Sequence, residues 1–204
     1  QELWVKLIGN FNAYNLLAIY ATAEQLGLEE FDILQILSTL ESVDGRFQYL
    51  ISEGKITAII DYAHTPDALK NVLDTINTIR SGNEQLITVV GCGGDRDVEK
   101  RPKMGAIAAQ LSTKVIFTSD NPRSENPDSI IQQIEAGVPP QHYKKTIAIT
   151  DRKQAIKTAC QMANEHDIIL VAGKGHETYQ EIQGVRSEFD DRKTISELLI
   201  ALNK

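Results

Sequence analysis

Residues 65–119 read TPDALKNVLDTINTIRSGNEQLITVVGCGGDRDVEKRPKMGAIAAQLSTKVIFTS. Behind Thr65, a good N-cap, and Pro66, a favoured first-turn residue, apolar side chains recur at helical spacing to about Arg80. QLITVV is a short, continuous apolar run closed by Gly91; VEKRPKMGAIAAQL is helical again, and KVIFTS is again a strand. Strands apolar on both faces, set between amphipathic helices, belong to a parallel sheet covered on both sides. The alternation continues downstream with PDSIIQQIEAG as helix, TIAIT as strand, DRKQAIKTACQMANE as helix and DIILVAG as strand. A hairpin around Gln183-Gly184, within Tyr179–Phe189, and a helix over Arg192–Leu202 follow. Upstream, RFQYLI and ITAIIDY read as strands joined by a Glu53-Gly54-Lys55 turn. The spacing therefore predicts a doubly wound α/β domain over residues 43–204, its ligand sites at the carboxyl ends of strands.

Before that domain the texture differs. Gln1–Leu7 reads as a strand, residues 13–27 as a helix stopped by Gly27, and Phe31–Leu40 as a second helix. These are too few residues to bury a core of their own. The polar stretch ESVDG sets the boundary, giving segments 1–42 and 43–204. At 204 residues and 42% hydrophobic, the chain is one domain or one plus a fragment. Lys+Arg of 21 against Asp+Glu of 28 gives −7, which argues against a nucleic-acid partner. Cys92 and Cys160 stand far apart and read as reduced thiols of a cytoplasmic protein. No apolar run reaches the roughly 18–20 residues of a membrane span. The chain opens on Gln1 rather than Met and without a signal segment, so it is expected to be a piece of something longer.

Four polar constellations follow strands. DYAHTPDAL (61–69) puts Asp61, Tyr62 and His64 into one strand-to-helix turn, where a helix N-terminus suits a phosphate; a plain capped junction accounts for it equally well. GCGGDRD (91–97) has three glycines, which let backbone approach a ligand, and Arg96, placed for a carboxylate or phosphate or for an ion pair with its neighbours. SDNPR (119–123) alone is a polar turn. AGKGHETYQ (172–180) carries Lys174, His176 and Glu177 on flexible backbone, without the Ser or Thr of a phosphate-binding Walker loop and without a second metal ligand at zinc spacing, so no metal site is assigned. His142 and His166 are expected in solvent, and Asp190 and Asp191 as caps of the last helix. Together the last three constellations describe a rim that suits a small zwitterion with more than one carboxylate and an amine.

Taken in order, GNFNAYN, DGRF, DYAHTPDAL, GCGGDRD, KRP.MG, DNPR and GKGHE resemble the Mur ligase family, over essentially the whole chain. The resemblance is strongest to the members that add meso-diaminopimelate to UDP-N-acetylmuramoyl-L-alanyl-D-glutamate in peptidoglycan precursor synthesis. It implies the tail of a central ATPase domain over 1–42, then a Rossmann-like C-terminal domain. The activity implied is ATP-dependent amide ligation through an acyl phosphate. The phosphate-binding loop and main Mg²⁺ ligands would lie upstream, so this piece is not expected to turn over alone. Asn12, Asn15, Arg46, Asp61 and Thr65 match nucleotide-contacting positions; Arg46 and His64 match catalytic ones. Arg96, Asp120, Asn121, Pro122, Arg123, Gly173 and Glu177 match the amino-acid pocket.

The chemistry agrees with that assignment. Arg123 can fork onto the far carboxylate of diaminopimelate, worth roughly 1.5–3 kcal/mol, while lysine would bring an ammonium against it. Glu177 would take the far ammonium. A dinucleotide-dependent dehydrogenase fits poorly, because the glycines lack G-x-G-x-x-G spacing. A lysine-adding or folylpolyglutamate-type ligase and a non-catalytic amino-acid-binding module are the other readings.

Overall fold

The computed structural model describes residues 3–204, which divide into two compact units, one ending at Val43 and the other Asp44–Lys204. In the first, α1 (Asn10–Gln25) and α2 (Glu30–Thr39) enclose Leu16, Ile33 and Leu37, with Val5 and Leu7 packed against them. The strand expected over Gln1–Leu7 is not formed in residues 3–7, and the first two lie outside the described residues. The physical reason is that the described residues of this unit form two helices and no strand, so an extended segment finds no ladder to join among them. Trp4, Tyr14, Leu26 and Phe31 are exposed, as the shortage of core material predicts.

The second unit is the α/β domain. Its six-stranded sheet runs β1 (Gln48–Ile51), β2 (Thr57–Asp61), β6 (Ile168–Ala172), β3 (Leu86–Val90), β4 (Lys114–Phe117), β5 (Thr146–Ala148). All neighbours pair in parallel except β1, which lies antiparallel on β2 with Gln48 opposite Ile60. The chain steps outward from β3 to β5 through α4 (Lys100–Leu111) and α5 (Pro127–Glu135), then returns through α6 (Arg152–Met162) to insert β6 between β2 and β3. Right-handed crossovers place α3 (Pro66–Ile79), α4 and α5 on one face, and α6 on the other because its direction is reversed. The packing agrees: α3 meets α4 and α4 meets α5, whereas α6 meets α7 (Asp191–Ala201). Strand alternation feeds both faces, Ala58 and Ile60 joining the α6–α7 core while Ile59, between them, is buried on the opposite side.

The local signals act as their chemistry requires. The Thr65 hydroxyl accepts the Ala68 N–H at 3.3 Å and Pro66 opens α3. Asp190 caps α7 through the Lys193 N–H at 3.0 Å. Asp191 departs from the expected cap: it is fully buried in an ion pair with Arg152. His142 is half-buried rather than solvent-facing, held in a 3₁₀ turn over Pro140–Lys145 that carries no periodic apolar pattern to announce it. β7 (Tyr179–Ile182) and β8 (Val185–Glu188) form the expected hairpin. Among the described residues no helix is long and apolar enough to cross a membrane. Cys92 and Cys160 are free and buried, and burial pushes both thiols up to about 12.

Candidate functional site

β2, β6, β3 and β4 are consecutive neighbours in the sheet, so all four constellations emerge side by side from their carboxyl ends. They line a cleft of ≈ 510 Å³. Three cations, Arg96, Lys100 and Arg123, share it with three carboxylates, Asp97, Asp120 and Glu177. Such a wall favours a zwitterion over a simple anion or cation. Tyr62, Asp97, Lys100 and Tyr179 border the cleft although sequence reasoning gave them no role; for Lys100 the KRP motif was the available signal. Its ammonium crosses to the His64 carbonyl at 2.8 Å.

On the amino-acid side, Asn121 is almost completely buried. Its Oδ1 accepts from Lys174 Nζ and from the Glu181 N–H, both at 3.0 Å, so its Nδ2 faces Glu177 Oε2 and donates at 2.8 Å. Lys174, also fully buried, reaches the same Oε2 at 3.3 Å. Asn121 therefore orients Glu177, leaving Oε1 as the oxygen for a ligand ammonium. Arg123 has φ of +50°, a left-handed backbone, and both its backbone groups bond the hairpin, N–H to Glu181 O and O from the Gln183 N–H. One Nη1–H is donated to Gly94 O at 2.8 Å. Pro122, buried behind it, does not border the cleft; its carbonyl packs against Gly94. Gly173 has φ of +118°, and a Cβ there would stand 2.6 Å from Asp120 Oδ2.

The glycines of GCGG serve loop packing. A Cβ on Gly91 would meet Thr118 O at 2.4 Å, one on Gly93 the Arg123 Nη1 at 2.9 Å, and one on Gly94 the Pro122 carbonyl at 1.9 Å. The two loops are further sewn by Arg101, whose side chain is fully buried and forks onto Glu125 with two bonds of 2.8 Å while reaching Gly93 O at 3.2 Å. Glu125 also accepts the Asp95 N–H at 2.6 Å. Arg101, then the Asp95 N–H, hold its carboxyl down at about 2, from an ordinary 4.5. A carboxylate depressed in the fold contributes stability that is fully present above 4.5 and lost as pH falls towards 2. The stability gap between wild type and Glu125→Gln should shrink across that window, measured by urea unfolding at graded pH; a gap independent of pH would refute the assignment.

On the other side, Arg46 stacks on Tyr62, its guanidinium carbon 4.8 Å from the ring centroid. His64 sits edge-on to the same ring, and His176 flanks it at 5.1 Å. His64 Nδ1 lies 2.7 Å from the Tyr62 carbonyl, which can only accept, so Nδ1 carries a hydrogen and donates it. Asp61 is buried, its Oδ2 taking the Phe47 N–H at 2.7 Å. Burial raises its pKa above the usual 3.8, against the lowering by backbone N–H bonds from Phe47 and Ala63. The structure thus brings Asp61 to the base of this rim and has it hold the Phe47 main chain, next to Arg46. Asn12 and Asn15 lie on α1 in the first unit, Asn12 donating to Ile8 O at 2.8 Å and Asn15 to Asn12 Oδ1 at 3.3 Å.

Comparison with known proteins gives consistent results. Residues 45–175 match the family model described as Mur ligase, glutamate ligase domain. The chain is 58% identical over 203 residues to UDP-N-acetylmuramoyl-L-alanyl-D-glutamate--2,6-diaminopimelate ligase of Cytophaga hutchinsonii, covering 100% of the chain and 42% of that relative. It is 54% identical to the protein of the same name from Parabacteroides distasonis, covering 97% of the chain and 41% of the relative. A solved structure of a ligase of this name superposes with a TM-score of 0.75 at 40% identity, covering 99% of the chain and 41% of that structure's chain. The chain thus spans about two fifths of the length of these relatives.

Proposed function

The chain belongs to the Mur ligase family, and from that premise we propose that its second unit is the amino-acid-binding part of an ATP-dependent ligase that adds meso-diaminopimelate to the D-glutamate of UDP-N-acetylmuramoyl-L-alanyl-D-glutamate. The observation that carries this reading is the charge-balanced cleft, with an arginine fork and an oriented carboxylate converging on it from β4 and β6. Diaminopimelate has a carboxylate and an ammonium at each end. Arg123 takes the far carboxylate and Glu177 Oε1 the far ammonium. Arg96, exposed at the end of β3, takes the near carboxylate. Fixing both ends leaves the near amine as the nucleophile.

In the ligation, ATP phosphorylates the D-glutamate side-chain carboxylate, the amine attacks the acyl phosphate, and phosphate leaves. What this chain contributes is orientation, which is worth much of such a barrier. Arg46 and Thr65 suit phosphate oxygens of the nucleotide, and Asp61 keeps the Arg46 backbone segment in place. His64, whose imidazole borders the cleft, takes a proton from the attacking amine in this reading. Among the described residues no three His, Cys, Asp or Glu side chains converge on a metal position. The reaction places the whole enzyme in the cytoplasm, where nucleotide-linked wall precursors are made.

The test is an NMR titration of the 204-residue chain with meso-diaminopimelate and, separately, with L-lysine. Selective shifts with diaminopimelate at the amides of Arg96, Asn121, Arg123 and Glu177 are expected. Equal or larger shifts with lysine would overturn the diaminopimelate assignment.

A further inference from the structure

We propose that Arg152, a buried arginine outside the cleft, is a positioning residue that sets the distance between the two loops carrying Arg123 and Glu177. The role concerns the cleft assigned above, and its test has a readout that needs no ligand.

Arg152 opens α6, and its side chain has no exposed surface. Its Nε and Nη2 fork onto Asp191 at the start of α7, both at 2.8 Å. Two of the three remaining hydrogens go to main-chain carbonyls, Nη2 to Ala172 O at 3.1 Å and Nη1 to Ser119 O at 3.4 Å. Those carbonyls immediately precede Gly173 and Asp120, the first residues of the two ligand loops. Ala172 ends β6 and Ser119 lies just past β4, and these strands do not pair, because β3 lies between them. Two strand spacings, about 9.5 Å, separate their axes, and no ladder bond spans that gap. Arg152 bridges it from the α6 face of the sheet.

A stabilising role alone does not account for this arrangement. A buried ion pair is commonly no more stabilising than apolar side chains of equal size, because desolvation offsets the attraction. What an apolar pair cannot supply is a planar fork holding one carboxylate and two carbonyls at fixed separations. The neighbouring loop pair, β3 with β4, is tied by Arg101 and by glycine-mediated contact. Between the β4 loop and the segment after β6 the other direct links run through Asn121, Asp120 and Arg123 themselves, residues that must also adapt to ligand, and through the Gln183 side chain, which donates to Ser124 O at 3.0 Å out at the hairpin.

The experiment compares wild type with Arg152→Met/Asp191→Leu, which removes both charges and leaves neither unpaired, and with Arg152→Lys, which keeps the charge but not the fork. Hydrogen exchange by NMR is read over 120–123 and 173–177, with α3 and β1 as internal reference. Exchange about tenfold or more faster in both loops, with the reference amides unchanged, is expected in each variant. The affinity for meso-diaminopimelate should fall by about tenfold in parallel. A folded variant with wild-type exchange in both loops would overturn the proposal. So would unfolding of both variants, which would assign Arg152 to global stability. If the wild type ignores meso-diaminopimelate while the loops respond to substitution, the positioning role stands and the ligand assignment falls.

Discussion

Replacing Arg123 by alanine is expected to weaken meso-diaminopimelate binding by roughly ten- to a hundredfold, since a charged hydrogen bond contributes about 1.5–3 kcal/mol and each 1.4 kcal/mol is tenfold. L-Lysine binding should stay the same or improve, because the guanidinium that repels its terminal ammonium is gone. The substitution is clean in structural terms. The Arg123 backbone is held by its bonds to Glu181 and Gln183, which alanine keeps. Its φ of +50° is equally awkward for both residues. What alanine gives up inside the protein is the hydrogen bond to Gly94 O. Calorimetric titration of both ligands into wild type and variant decides the matter. Parallel losses for both would mean that Arg123 shapes the cleft without reading the far carboxylate.

Arg123 also illustrates how far the site is legible in the sequence. GKGHE stands at a strand end and announces itself by composition, because ionisable residues crowd where a plain turn needs only Gly or Asn, whereas DNPR alone reads as a polar turn and gains a site role only from the family resemblance. The alternation from β2 to β6 is legible for a similar reason: strands buried on both faces must be continuously apolar, and LITVV and IILVA are. The insertion of β6 between β2 and β3 leaves no such trace, because any of these strands presents the same apolar faces to any neighbour. Arg101 and Arg152 are illegible for a sharper reason. Each opens a helix in a charged stretch, KRP or DRK, which reads as solvated surface. Their burial depends on Glu125 and Asp191, 24 and 39 residues away, and only the folded topology brings those carboxylates beneath them. Asp191 reads as a cap by the same local logic, and its neighbour Asp190 does that work.

The glycines of GCGG mark where local reading reaches the right residue with an incomplete cause, and Gly94→Ala is the substitution that separates the causes. Glycine's backbone freedom would suit close approach of a ligand. Yet no left-handed φ is required at Gly94, and the obstacle to a side chain is the protein itself. An added Cβ would lie 1.9 Å from the Pro122 carbonyl oxygen and 2.7 Å from its carbon. These are main-chain atoms, which cannot swing aside as a flexible side chain would. The loops after β3 and β4 would have to part. That would break the Gly94 N–H to Asn121 O bond of 2.9 Å and withdraw the carbonyl on which Arg123 rests. Overpacking of this kind costs about 1–3 kcal/mol of stability. Diaminopimelate affinity should fall by about tenfold or more, as Arg123 loses its anchor. Gly184→Ala is the matched control: at φ +76° in open space at the hairpin tip, it incurs only left-handed strain of about 1–2 kcal/mol. Comparable destabilisation in the two variants, with binding lost only in Gly94→Ala, is the expected result, read by urea unfolding and calorimetric titration. Wild-type affinity in Gly94→Ala would show that contact between these two loops does not set the pocket.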